Sequence, residues 1–249
     1  MTAWRKFFTE LDRWPAGRAT FWWRDDDATA RTPALDRLLA LPGLPLAIAV
    51  VPAHMRVNLA ERLADSRVDV LQHGFNHVNH QPRGEKKAEL GDARPLGVMQ
   101  EELARGRQRL ETLFGRRALR VLVPPWNRID RRLVATLAAQ GYGGLSTAQA
   151  REPAPDGLFQ ANSHIDIVDW LKQPRAFIGL EAALDLAIDH LARRRAGTVD
   201  AEEPTGLLTH HRVMDEAAFA FAAEFLTRSS AHPAVQWRAA RDIFPAGRG

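Results

Sequence analysis

Three adjacent carboxylates, Asp25, Asp26 and Asp27, close the apolar run ATFWWR at residues 19–24, and a histidine pair, His73 and His77, sits in QHGFNHVNH at residues 72–80. Adjacent carboxylates repel, and at the end of a buried aromatic strand they also lose solvation. A bound cation relieves both penalties. Two neutral imidazoles and one carboxylate, with positions left open, are how a catalytic zinc or similar divalent ion is held. The four-residue spacing predicts a helical turn with both imidazoles on one side, entered through a sharp backbone change at Gly74. Because side chains alternate along a strand, the three aspartates cannot all face one site. One division gives one to the metal and another to a water or substrate. Without an ion, the triplet needs a solvated turn paired with Arg24 or Arg31, and the histidines a hydrogen-bonded surface loop.

Further polar clusters follow other short apolar runs. Pro124-Pro125-Trp126-Asn127 follows LRVLV at 119–123. Asp166, Asp169 and Trp170 lie in and just after SHIDIV at 163–168, and His210-His211 follows TGLLT at 205–209. Alone, Pro124-Pro125-Trp126 reads more readily as a rigid packed turn than as a substrate wall, and Trp170 reads also as core. His54, His80 and His164 read as structural histidines.

The elements that must position these clusters are the runs themselves, with PLAIAVV at 45–51, VDVLQ at 68–72 and GGLST at 143–147 completing seven expected strands. Helical stripes lie between them: Met99, Leu103, Leu110 and Leu113; Leu180, Leu184, Ile188 and Leu191; and Phe219, Ala222 and Leu226 behind a cap at Asp215. Strands alternating with helices predict an α/β fold, an irregular (β/α)7-type barrel of mainly parallel strands, as a single domain over residues 1–249. In such a barrel the C-terminal strand ends share one face, so five clusters distant in sequence meet around one mouth.

The sequence has no cysteine, which excludes thiolate metal sites and a thiol nucleophile. No dinucleotide fingerprint, phosphate-binding loop or Gly-x-Ser-x-Gly elbow occurs. The net charge of +4 comes from arginines interspersed with acidic residues, which argues against a nucleic-acid partner. The charged start lacks the apolar core of a secretory signal, and no apolar run is long enough for a membrane span. A cytoplasmic location is the expectation; the oligomeric state is not legible.

These clusters resemble, in order, the five motifs of the polysaccharide deacetylases, the family 4 carbohydrate esterases that share the NodB homology domain. The family's Thr-Phe-Asp-Asp-Gly is similar to Arg24-Asp25-Asp26-Asp27-Ala28, which implies Asp26 as general base and Asp27 as metal ligand. His-Ser/Thr-x-x-His resembles His73-Gly74-Phe75-Asn76-His77, implying two more ligands, His73 and His77, with Gly74 in the hydroxyl position. Arg-Pro-Pro-Tyr resembles Val123-Pro124-Pro125-Trp126; the arginine is absent, and Arg128 is the nearest replacement. Asp166-Ile167-Val168-Asp169-Trp170 resembles the fourth motif, implying Asp166 as support for the catalytic acid and Trp170 as groove wall. Leu208-Thr209-His210 resembles the fifth, implying His210 as general acid, with His211 where an aspartate is common. The resemblance thus implies one divalent ion, zinc foremost with cobalt or nickel as alternatives. It implies a substrate surface of Pro125, Trp126, Asn127, Arg128, Trp170 and His211, and removal of an N-acetyl group from a sugar or glycan. An amidohydrolase acting on another C–N bond of a small amide, or a silent carbohydrate-binding barrel, are the alternatives.

Overall fold

A computed structural model describes residues 1–64, 66–153 and 155–244. Its strands are β1 (Ala19–Ala28), β2 (Ala47–Val50), β3 (Asp69–His73), β4 (Ala118–Val123), β5 (Gly144–Leu145), β6 (Phe159–Gln160), β7 (Ile165–Asp166), β8 (Val168–Asp169), β9 (Ala176–Phe177), β10 (Thr205–Thr209) and β11 (Val235–Trp237). The helices are α1 (Ala3–Leu11), α2 (Pro33–Leu39), α3 (Val57–Leu63), α4 (Leu96–Phe114), α5 (Arg131–Val134), α6 (Leu180–Arg195), α7 (Glu216–Ser230) and α8 (Ala240–Ile243).

Parallel pairing runs β6-β5-β4-β3-β2-β1-β10-β7, with β11 added beside the start of β1. The ends of this sheet are one stretch of chain. Residues 159–166 pair with β5 at their start and with β10 at their end, and an isolated Ala148–Ser163 bridge lies between. Seven staves therefore form the expected irregular α/β barrel. All seven expected strands are present, though β1 continues through the aspartate triplet to Ala28. The small antiparallel β8–β9 hairpin was not expected from the sequence.

Period-two alternation sorts each stave into two cores. Trp22, Ala47, Ala49, Leu71, Val121, Val123 and Ala161 fill the barrel, closed below by Ile243 and Phe244. Phe21, Trp23, Ile48, Val50 and Val70 face outward against α1, α6 and α7. The helical stripes pack as expected at Met99, Leu103, Leu110, Leu184 and Leu191, whereas Leu180 is exposed at the start of α6. Asp215 caps α7 through Ala218 N–H. Among the described residues no helix is long and apolar enough to cross a membrane.

Candidate active site

The strand alternation that makes the barrel also divides the triplet. Trp22, Arg24 and Asp26 point inward one above another, while Asp25 faces outward. There Asp25 accepts hydrogen bonds from Thr209 Oγ1 at 2.7 Å and His211 N at 3.0 Å, and contacts His211 Nδ1. A register shift after Asp25 and a left-handed φ of 72° at Asp27 break the alternation, so Asp26 and Asp27 both line the mouth.

Asp27 Oδ1 lies 3.1 Å from His73 Nε2 and 3.2 Å from His77 Nε2. The tautomer of His73 is set from behind: Nδ1 lies 3.0 Å from the Val123 carbonyl, which can only accept, so Nδ1 carries the proton. The neutral ring then presents its Nε2 lone pair toward a carboxylate oxygen that has no hydrogen-bond partner of its own. Two facing lone-pair donors at this distance are held by a proton or a cation. The donor set, with its imidazole N–H fixed on a backbone carbonyl, fits a divalent ion. Burial favours the neutral acid for Asp27, but the His73 and His77 imidazoles outweigh it and hold the carboxyl well below its usual range. Burial likewise opposes charge on His73, and the carboxylates of Asp26 and Asp27 overcome it, raising its pKa.

The histidine pair does not sit on a helical turn, as the spacing predicted. His73 ends β3, and the chain reverses through left-handed conformations at Gly74 (φ 53°) and His77 (φ 55°). Glu89 holds this reversal. Its buried carboxylate accepts from the N–H groups of Phe75, Asn76 and His77 at 3.1, 2.7 and 3.1 Å. The same carboxylate explains the glycine: a Cβ at residue 74 would lie 2.2 Å from Glu89 Oε2 and 2.6 Å from Pro125 Cδ. Nothing in the run KKAEL marks Glu89 as part of the site.

Arg24, weighed from the sequence only as a charge partner for the triplet on a solvated turn, is instead buried within the site. Its fully buried guanidinium donates from Nη2 to Asp26 Oδ2 at 3.1 Å, and Nε lies 2.9 Å from Oδ1. Ser146 Oγ at 2.6 Å and Asn127 Oδ1 at 2.8 Å complete its surroundings. Arg128, the replacement expected from sequence, lies on the rim and donates to the Lys87 carbonyl instead. The signal was available in period two: residues 24 and 26 must share a face.

Of the remaining candidates, His210 Nε2 lies 4.0 Å from Asp26 Oδ2, and its ring meets Trp170 edge-on with centroids 4.7 Å apart. Asp166 makes no hydrogen bond to His210; it accepts from Trp170 Nε1 at 2.8 Å and Val168 N at 3.1 Å. Asp166 therefore reaches His210 only through the Trp170 indole. Trp126 packs on His77, centroids 4.4 Å apart. Trp126, Asn127, Arg128, Asp166 and Trp170 line the cavity. Pro125 and His211 do not. Pro125 is buried against Gly74, and the His211 ring is turned outward to Asp25, because residues 210 and 211 leave β10 on opposite faces.

A cavity of about 440 Å³ thus gathers Asp26, Asp27, His73, His77 and His210 at the C-terminal ends of β1, β3 and β10. No protein-family model matches the sequence, and no curated protein matches it. Solved structures do. A Mycobacterium smegmatis protein classed as a polysaccharide deacetylase superposes with a TM-score of 0.59 over 95% of this chain and 96% of its own, at 18% identity. The chain has the polysaccharide deacetylase fold. A peptidoglycan N-acetylglucosamine deacetylase bound to 4-naphthalen-1-yl-N-oxidanyl-benzamide superposes at 0.58 over 97% and 99% with 13% identity. A family 4 carbohydrate esterase from Streptomyces lividans in complex with acetate does so at 0.55 over 88% and 92% with 16% identity. At these identities the likeness to the deacetylases is one of fold.

Proposed function

We propose that this chain is a divergent polysaccharide deacetylase, one catalytic domain that uses a divalent ion, zinc foremost, to hydrolyse an N-acetyl group from a sugar or glycan. The convergence of Asp27, His73 and His77 on one point, with Asp26 and His210 beside it, carries this reading. An ion held by these three residues would supply Lewis-acid polarisation of the acyl oxygen and a lowered pKa for water. Asp26, its oxygens fixed by Arg24, takes the proton of the attacking water. His210, from the other side of the cavity, protonates the departing nitrogen, since an amide nitrogen leaves poorly as an anion. Water and amide are consumed; acetate and a free amine result. Trp126 and Trp170 form the apolar walls, and Asn127 divides its contacts between Arg24 and the cavity.

A silent binding barrel is the weaker reading, because sugar binding needs neither a pinned carboxylate nor an imidazole opposite it. Metal analysis tests the site directly. We expect about one divalent ion per wild-type chain and none in a His73→Ala/His77→Ala double variant. Asp26→Asn should keep the ion and lose deacetylation of acetylated chito-oligosaccharides. Failure of wild-type protein to retain any divalent ion after reconstitution would overturn the proposal.

A further inference from the structure

We infer that the substrate carries an oxyanion, a phosphate or carboxylate, close to the bond that is cleaved; this rests on the deacetylase reading and narrows its substrate class. Lys87, Arg128 and Arg175 line the same cavity as Asp27, His77 and His210. They arrive from three separate segments: the loop before Glu89, the turn after Trp126, and the β8–β9 hairpin.

Among the described residues none of the three forms an ion pair. Arginines elsewhere commonly do: Arg24 with Asp26, Arg94 with Glu102, Arg151 with Asp200 and Arg241 with Asp69. The hydrogen bonds that hold Arg128 and Arg175 go to neutral backbone carbonyls, which orient a charge without cancelling it. Arg128 Nη1 donates to the Lys87 carbonyl at 2.9 Å. Arg175 Nη1 donates to the Lys172 carbonyl at 2.9 Å and to that of Trp170, with its guanidinium carbon 5.6 Å from the Trp170 ring centre. The carboxylates of the cavity are otherwise engaged: Asp26 with Arg24 and Asp27 with the histidines. Asp166 alone on the described wall lacks a cationic partner, against three cations that lack an anionic one.

Lys87 and Arg128 are exposed and Arg175 is half-buried, so water screens part of their repulsion, but three like charges still share one concave mouth. A ligand oxyanion turns that cost into attraction, through charge-assisted hydrogen bonds and a focused field that speeds encounter. The cavity is large enough for one sugar ring and its charged substituent.

The test compares kcat/KM of the zinc-loaded protein for N-acetylglucosamine, N-acetylglucosamine 1-phosphate and N-acetylmuramic acid, at low and high salt. At least about a tenfold preference for a charged sugar is expected, shrinking as salt rises. The phosphate and carboxylate arms distinguish the source of the oxyanion. In Lys87→Gln/Arg128→Gln/Arg175→Gln the preference ratio should collapse, with Arg175→Gln alone as a milder variant if the triple one folds poorly. Calorimetric binding of N-acetylglucosamine 1-phosphate to Asp26→Asn, with and without the rim substitutions, gives a readout independent of turnover. Neutral and charged sugars hydrolysed alike, with an unmoved ratio in the variants, would overturn the inference and leave the deacetylase reading standing. Salt-sensitive binding lost with the rim cations, but no hydrolysis of any amide, would support the oxyanion pocket and overturn the deacetylase reading. Absence of both binding and hydrolysis would overturn both readings.

Discussion

Arg24 and Glu89 carry the site's precision, one beneath Asp26 and one behind His77. Arg24 gives Asp26 two contacts from a rigid planar fork and is itself held by Ser146 and Asn127. A lysine in its place keeps the charge and loses the fork. Arg24→Lys is therefore expected to lower kcat by about 10²-fold with metal content unchanged, since small misplacement of a reacting group costs that much. Steady-state kinetics beside elemental analysis checks it; an unchanged kcat would remove Arg24 from the positioning role. Glu89 fixes three consecutive backbone N–H groups, including that of His77. Glu89→Gln should weaken metal affinity about 10- to 100-fold, the usual effect of disturbing the shell that orients a ligand. Competition against a chelator measures this, and equal affinity would mean that the loop holds its shape without the carboxylate.

Among the elements, the β8–β9 hairpin and α7 share a hinge at Asp215. One carboxylate oxygen caps α7 at Ala218 N (2.8 Å), and the other accepts from Phe177 N (3.1 Å) on β9. The hairpin carries Trp170 and Arg175, so a helix cap also braces one wall of the cavity. Asp215→Ala is expected to cost about 1–2 kcal/mol of stability, the upper part of the range for a lost N-cap. Denaturant unfolding would read this. A loss well below that range would show that the hairpin does not depend on the cap.

The molecule as a whole closes along residues 159–166, and that seam is tied by a buried group of His164, His190 and Glu203. Glu203 accepts from Asn162 N at 2.9 Å and Arg151 N at 2.8 Å. His164 Nδ1 accepts from Gly206 N, which puts its proton on Nε2, facing Glu203 at 3.6 Å. That ring has no Nε2 lone pair to offer an ion, and no hydrogen bond joins the three side chains; the two imidazoles stack with centroids 3.3 Å apart beside Glu203. Burial lowers the pKa of both histidines, that of His190 to about 2. Folded His190 stays neutral where the unfolded chain, with an ordinary histidine pKa of 6.5, takes up a proton. Between those two values the unfolded state binds more protons, so stability falls as pH drops below about 6.5. The slope approaches about 1.4 kcal/mol per pH unit for each fully buried neutral histidine. His190→Gln should flatten this acid-side slope in denaturant titrations; an unchanged slope would assign the acid sensitivity to other groups.

The sequence by itself determined what depends on residue type and local period. Runs of β-branched and apolar residues specified seven staves, helical stripes specified the layer outside them, and the rule that strand ends share a face gathered the polar clusters at one mouth. Chemistry-bearing types such as Asp27, His73, His77 and His210 were legible because few structural uses compete for them. Only the tertiary structure decided which carboxylate looks inward past a register shift, that Arg128 stays on the rim, and which of His210 and His211 turns away. Those outcomes rest on contacts between segments far apart in the chain: Glu89 reaching the His77 loop, Ser146 beneath Arg24, Asp25 drawing His211 outward. Pairing across such distances is set by how the staves register and close, and no local pattern encodes it.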